Sequence, residues 1–231
     1  MFEIYEKHSR EYDDLVKHED YENNLGTTLA KILEGNDLKI VEAGVGTGRI
    51  TRLYINRAKH IWCFDRSRHM IERAKINLAD YLDKITFQIL DNRDINKFKG
   101  KADYFIEGWS FGHTIIENQD NINKIVKKLI SNCIKICSKK IIIIETLGTN
   151  VNEPVPTNEV LFEFYKILEE EYNFEKKIVR TDYKFESNEE AERIMGFFFG
   201  EKMKDSLLKT PRSIIPEWTG VWVKDLNHQN G

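Results

Sequence analysis

The segment Lys39-Ile-Val-Glu-Ala-Gly-Val-Gly-Thr-Gly-Arg-Ile-Thr51 limits the folds open to this chain more than any other stretch. An apolar run of strand length meets a helical pattern through glycines at three alternate positions, Gly44, Gly46 and Gly48. Glycines at such a junction permit positive φ and let a ligand approach the backbone with no Cβ in the way. A strand–loop–helix unit holding a nucleotide-type ligand is therefore expected. The dinucleotide fingerprint G-x-G-x-x-G, started at Gly44, would put its third glycine where Arg49 stands, and no Lys-Ser/Thr pair follows to make a phosphate-cradling loop. What remains is an acidic residue, Glu42, two positions before G-x-G-x-G.

The residues around this loop repeat the same alternation. Strand-length apolar runs at Leu38 to Ala43, His60 to Phe64, Ile85 to Leu90, Ala102 to Ile106 and Lys140 to Glu145 are separated by segments of helical period, the pattern of βα units feeding a parallel sheet. Four β-branched residues in succession, Ile141 to Ile144, suit a central strand covered on both faces. Met70, Ile71, Ala74, Leu78 and Leu82 recur at three- and four-residue steps, as do Ile125, Val126, Leu129, Cys133 and Ile136, so each set predicts one packed helix face. Lys124, Lys127, Lys128 and Lys135 fall opposite the second stripe and read as a solvated face.

Before the first strand lie about 37 residues of helical period bearing Phe2, Tyr5, Tyr12 and Tyr21. All four prolines follow residue 150, where a helix near Glu159 to Tyr172, a strand near Lys176 to Asp182, an insertion carrying Phe197, Phe198 and Phe199, and a strand near Thr219 to Val223 are predicted. The last two strands are expected to form an antiparallel edge. No linker or repeat divides the chain, so one domain over 1–231 is expected: a helical lid at 1–37, a cofactor half at 38–146, and a closure at 147–231 with an insertion near 187–210.

Composition removes several classes. With 35 Lys and Arg against 38 Asp and Glu, the formal charge is −3, the wrong sign for a protein that binds DNA by neutralising phosphates. No apolar run of about 18 residues exists to cross a membrane, and the start MFEIYEKHSREYDD is too charged for a signal peptide; a cytoplasmic location is expected. Cys63, Cys133 and Cys137 are odd in number and lack C-x-x-C spacing, so reduced buried thiols and no metal site are expected.

Glu42-x-Gly44-x-Gly46-x-Gly48 at the end of the first strand resembles the first motif of the class I S-adenosylmethionine-dependent methyltransferases. Asp65 stands at the end of the second strand, and Asp91-Asn92 follow the third, in the order that family shows. An acid at the position of Asp65 can accept hydrogen bonds from both ribose hydroxyls, a geometry shared with nicotinamide enzymes. The resemblance implies a three-layer, Rossmann-like α/β fold with seven strands, mostly parallel, the last antiparallel. It implies S-adenosyl-L-methionine as cofactor, bound by Glu42, Ala43, Gly44, Gly46 and Gly48 of the loop, by Asp65, Arg66 and Met70 after the second strand, and by Asp91 and Asn92 after the third. Glu107, Gly108 and Trp109 after the fourth strand and Tyr12 of the lid complete the implied set. Asp91 is implied to receive the adenine amino group, and a carboxylate at Glu42 can attract the ammonium of the cofactor.

In this family the segment Glu107-Gly-Trp-Ser-Phe-Gly-His113 lines the acceptor side. It lacks the Asp/Asn-Pro-Pro-aromatic tetrapeptide of nucleic-acid amino methyltransferases, and it has neither the paired glutamates of arginine methyltransferases nor an Asp-Asn pair after Glu145. A small-molecule acceptor is the residual choice. His113 is the candidate base, since an ordinary pKa of about 6.5 suits proton removal near neutrality. Trp109 is placed to form an aromatic wall, and the three phenylalanines either an acceptor wall or a plug above the last strands. The alternatives are a cofactor-binding module serving a protein or RNA partner, and an NAD(P)-dependent oxidoreductase.

Overall fold

The computed structural model describes residues 8–227. Phe2 and Tyr5, expected on the lid, lie outside the described residues. Seven strands form the main sheet: β1 (Leu38–Ala43), β2 (Ala58–Asp65), β3 (Ile85–Ile89), β4 (Ala102–Gly108), β5 (Cys137–Thr149), β6 (Glu175–Arg180) and, after two short strands, β9 (Glu217–Asp225). Their order is β3-β2-β1-β4-β5-β9-β6. The first five pair in parallel, whereas β9 runs antiparallel to both β5 and β6. The last strand is thus the antiparallel one, as expected, and it is inserted inside the edge, with β6 outermost.

Ile141 to Ile144 show why the sheet has helices on both faces. Ile141 and Ile143 join one buried cluster with Leu129, Cys133 and Phe164, while Ile142 and Ile144 join another with Leu29, Ile50 and Ile71. Alternate side chains of one strand thus enter opposite cores. One layer is built from α5 (Phe111–Ile116), α6 (Ile122–Ile136) and α7 (Glu159–Glu170); the other includes α2 (Asn24–Ile32), α3 (Arg49–Tyr54) and α4 (Arg68–Asn77). In α6 the predicted stripe of Ile125, Val126, Leu129, Cys133 and Ile136 is buried and the four lysines are exposed. The three cysteines are free and buried.

A third apolar cluster sits apart from the sheet. It joins Leu15 of α1 (Ser9–Val16) to Tyr183 of β7 (Tyr183–Lys184), Ile215 of β8 (Ile214–Ile215), Ala191, Ile194 and Met195 of α8 (Asn188–Phe199), and Leu207 of α9 (Glu201–Lys209). The insertion and the amino-terminal helix therefore form one cap. Phe198 and Phe199 pack into it, and Phe198 stands 5.8 Å from the Tyr12 ring. Phe197 is half exposed and meets His8 edge-on at 5.6 Å. Of the lid tyrosines, Tyr12 faces inward under this cap and Tyr21 is exposed, with Lys184 over its ring. No helix among the described residues is long and apolar enough to cross a membrane.

Candidate functional site

A cavity of about 480 Å³ opens at the carboxyl ends of the parallel strands, within the range of small-molecule and cofactor sites. Its floor is the glycine loop. Gly44 and Gly46 have φ of 69° and 53°, left-handed values that cost other residues about 1–2 kcal/mol. The loop is tied to the neighbouring strand end, with Gly44 N and Val45 N donating to Phe64 O at 2.8 and 3.0 Å. A Cβ at Gly44 would lie 2.2 Å from Ser110 Oγ, whereas one at Gly46 would meet nothing nearer than Tyr12 Cε1 at 3.9 Å. The space over Gly46 is the cavity itself.

Asp65 forms the next wall. Its Oδ2 accepts Gly46 N–H at 2.9 Å and its Oδ1 accepts Ser67 N–H at 2.8 Å. The Arg66 N–H donates to the same carboxylate, so three amides leave about one of its four lone-pair sites for a ligand hydroxyl. Burial pushes this carboxyl up, opposed by the amides of Ser67, Gly46 and Arg66 and by the Arg66 charge. Met70, 1% exposed, lines the cavity one turn further on, where Ser67 caps α4 by accepting Met70 N–H.

Opposite stand Asp91, Asn92, Gly108, Trp109, Ser110, His113 and Thr114, with Tyr12 over the top. Trp109 holds φ of 51°, uncommon for a bulky residue. Its position is fixed twice. Its N–H donates to Ile144 O at 2.8 Å, and the Arg49 guanidinium lies over its ring at 4.1 Å. Arg49 is in turn clamped by Glu19, with Nη1 and Nη2 donating at 2.7 and 2.8 Å, the bidentate geometry that makes such pairs strong. The same clamp ties the amino-terminal segment to the glycine loop, helped by Asp13, which accepts from Arg73 at 2.8 Å and Asn77 at 2.9 Å.

Of the residues implied from the sequence, Tyr12, Gly44, Gly46, Asp65, Arg66, Met70, Asp91, Asn92, Gly108, Trp109 and His113 are brought to the cavity. Four are not. Glu42 is 1% exposed, and its Oε2 accepts the hydroxyls of Thr51, at 2.7 Å, and Tyr54. It anchors α3 beneath the loop and does not face a ligand ammonium. Ala43 is buried in the core. Gly48 caps α3, and a Cβ there would strike Leu78. Glu107 is wholly buried, its Oε1 taken by the turn that follows it.

Two expected roles are altered by their surroundings. Asp91 lines the cavity, but Arg93 grips its carboxylate with Nε at 2.7 Å and Nη2 at 2.8 Å and holds it below the usual range. Oδ1 also accepts the Arg93 N–H, whereas Oδ2 accepts Nη2 alone and keeps a lone pair toward the cavity. Asn92 Nδ2 is bonded to Ser110 and Thr114. Burial and then Arg66 pull His113 down to about 4, far from the operating pH that an efficient general base needs. Residues not anticipated are Ser67, Arg93, Thr114 and Glu117, while Ser110 falls within the segment implied to line the acceptor side. A signal existed for two of them: Ser67 sits at the N-cap position before a periodic run, and Arg93 follows Asp91 by two. Arg66 pairs with Glu117 at 2.8 Å across the cavity mouth, a contact over 51 positions with no local signature.

Residues 40–131 match the family profile described as a methyltransferase domain. Solved structures share the fold at low identity. Precorrin 8w decarboxylase from Methanobacterium thermoautotrophicum is 15% identical, with a TM-score of 0.56 over 87% of this chain and 88% of that one. Precorrin-6y C5,15-methyltransferase from Geobacter metallireducens is 13% identical, with a TM-score of 0.51 over 85% and 86%. A protein proposed as an RNA methyltransferase, from Pyrococcus horikoshii, is 14% identical, with a TM-score of 0.51 over 86% and 78%. No curated protein matches the sequence. The chain thus shares the Rossmann-like fold of these proteins, and its residues 40–131 are similar to a methyltransferase domain.

Proposed function

We propose that the protein transfers a methyl group from S-adenosyl-L-methionine to a small-molecule acceptor by in-line displacement, within a single domain. The observation that carries this reading is the joining, in one 480 Å³ cavity, of a left-handed glycine loop open to a ligand and an Asp65 carboxylate held in its wall by backbone amides. Asp65 fits a ribose hydroxyl. Met70 and the Asn92 backbone fit a flat base between them, and Gly44, Gly46 and Tyr12 fit the amino-acid arm. When bound, the cofactor supplies an electrophilic methyl on a sulfonium centre. The chain's own contribution is alignment and water exclusion: Tyr12 and Trp109 close the cavity over the loop, and the Glu19–Arg49 clamp fixes both. With His113 a weak base, the acceptor must present its own lone pair.

A small acceptor is favoured because each arginine at the mouth is matched by a carboxylate, Arg66 by Glu117 and Arg93 by Asp91, leaving little field for a phosphate backbone. Calorimetry with S-adenosylhomocysteine is expected to show one site, and Asp65→Ala to weaken it by about 1–3 kcal/mol, the cost of losing buried bonds to the ribose. No binding of this ligand, with binding of NADH, would overturn the cofactor. Transfer of labelled methyl to bulk RNA, and to no amine, hydroxyl or thiol library, would overturn the acceptor class.

A further inference from the structure

Beneath the turn that carries Trp109 lie two glutamates that no step above uses. Glu107 is the penultimate residue of β4, paired with Ile143 of β5, and Glu145 lies two positions further along β5; they are 0% and 3% exposed. Between them they accept the leading amides of α5. Glu107 Oε1 accepts Ser110 N–H at 2.6 Å, Phe111 N–H at 2.8 Å and the Ser110 hydroxyl at 2.9 Å. Glu145 Oε1 accepts Gly112 N–H at 2.6 Å. Gly112 permits that approach, since a Cβ there would stand 2.8 Å from Glu145 Oε2.

Glu107 Oε2 is buried and has no N–H or ordinary hydroxyl donor among the described residues. A buried carboxylate oxygen without a donor is costly. The neighbour able to supply one is the carboxyl of Glu145, which hydrogen-bonds Glu107 when it carries a proton. We infer that Glu107 and Glu145 share one proton and act as a positioning pair, holding the Trp109–Ser110 wall of the cofactor cavity in place only while that proton is kept.

The surroundings fit. Burial pushes both carboxyls up, and the charge of Glu107 pushes Glu145 further. The other titratable groups facing the pair are Tyr165 of α7 and Cys133 of α6, both themselves pushed up by burial and so neutral near pH 7. Release of the shared proton to water leaves two carboxylates side by side, held apart from solvent and repelling each other. The chain segment free to respond is the turn at 109–112, because the other supports of the glutamates are paired central strands. Trp109, already held at positive φ, then loses its seat over the cavity. The effect on binding rests on the methyltransferase reading of that cavity; the proton sharing does not.

The test compares wild type with Glu145→Gln and Glu107→Gln from about pH 6 to about pH 9. Either amide reproduces the hydrogen-bond pattern, accepting the turn's N–H groups and donating to the remaining carboxylate, with no proton to lose. Affinity of wild type for S-adenosylhomocysteine is expected to fall by about tenfold per pH unit above the midpoint, one proton being linked to binding. In the amide variants it stays level across the same range. Hydrogen exchange of the peptide spanning 107–117, corrected for intrinsic pH dependence, reads the turn without ligand and is expected to show the same contrast. Equal alkaline loss in wild type and either folded amide variant, or no loss of protection in wild type, would overturn the pair. Absence of ligand binding at every pH would instead overturn the cofactor reading, with exchange still deciding the pair.

Discussion

Replacing Glu42 by Gln probes the foundation of the glycine loop rather than its surface. The carboxyl sits at the end of β1 under α3, and burial, opposed by the hydroxyls of Tyr54 and Thr51, raises it from its ordinary value of 4.5 to about 7. A carboxyl raised on folding stabilises the folded state below the unfolded value, and that stability is lost as pH rises through the folded one. At about 1.4 kcal/mol per unit, Glu42 alone accounts for about 3 kcal/mol of stability lost between about pH 4 and about pH 8. Gln cannot titrate, so its variant should lack this share. The assay is urea unfolding followed by far-ultraviolet circular dichroism at both pH values, on wild type and variant. Subtracting the two pH dependences cancels the other raised carboxyls, leaving about 3 kcal/mol for Glu42. A difference under about 1 kcal/mol would refute the argument that burial governs this group, and with it the role of Glu42 as a buried anchor.

Gly44→Ala combines left-handed backbone with a Cβ 2.2 Å from Ser110 Oγ; a loss of about 2–4 kcal/mol in unfolding free energy is expected, and a change under about 1 kcal/mol would show that the loop and the Trp109 turn are not in contact. His113, pulled down to about 4, should show its imidazole proton resonance titrating near that value. Because its folded value lies below the ordinary 6.5, its stability contribution is present above about pH 6.5 and lost as pH falls toward 4; a midpoint near 6.5 would restore it as a base candidate.

The cofactor half could be read from the sequence because its signals are local. Strand-length runs, the three alternate glycines and the stripe of α6 each lie within a few residues, and backbone sterics turn them directly into shape. Tyr12, Asp65 and Trp109 were placed by likeness of order, and the cavity gathers them. Of the four residues that the cavity does not gather, Glu42 and Glu107 are acidic, and their fate is settled by partners the local sequence does not announce. Glu42 went to Thr51 and Tyr54, Glu107 to the turn below Trp109 and to Glu145, and the unanticipated Glu19 to Arg49, 30 positions away. An acid near a loop can face a ligand or hold up the loop, and spacing alone does not separate the two. The grip of Arg93 on Asp91 was within local reach, since side chains two apart across an extended-to-turn junction can meet.

The inserted position of β9 has a bearing on how the chain comes to be folded. Neighbours β5 and β6 are separated from it by different lengths of sequence, yet neither can be hydrogen-bonded on the shared side until Glu217–Asp225 has left the ribosome. The five parallel strands and their helices can condense first, while β6 has no place in the sheet and the cap that β7 and β8 help build has no fixed base. Closure of the sheet therefore waits for β9, which emerges after every other described element, and it is the step that seats the cap over an already formed nucleotide-type cleft.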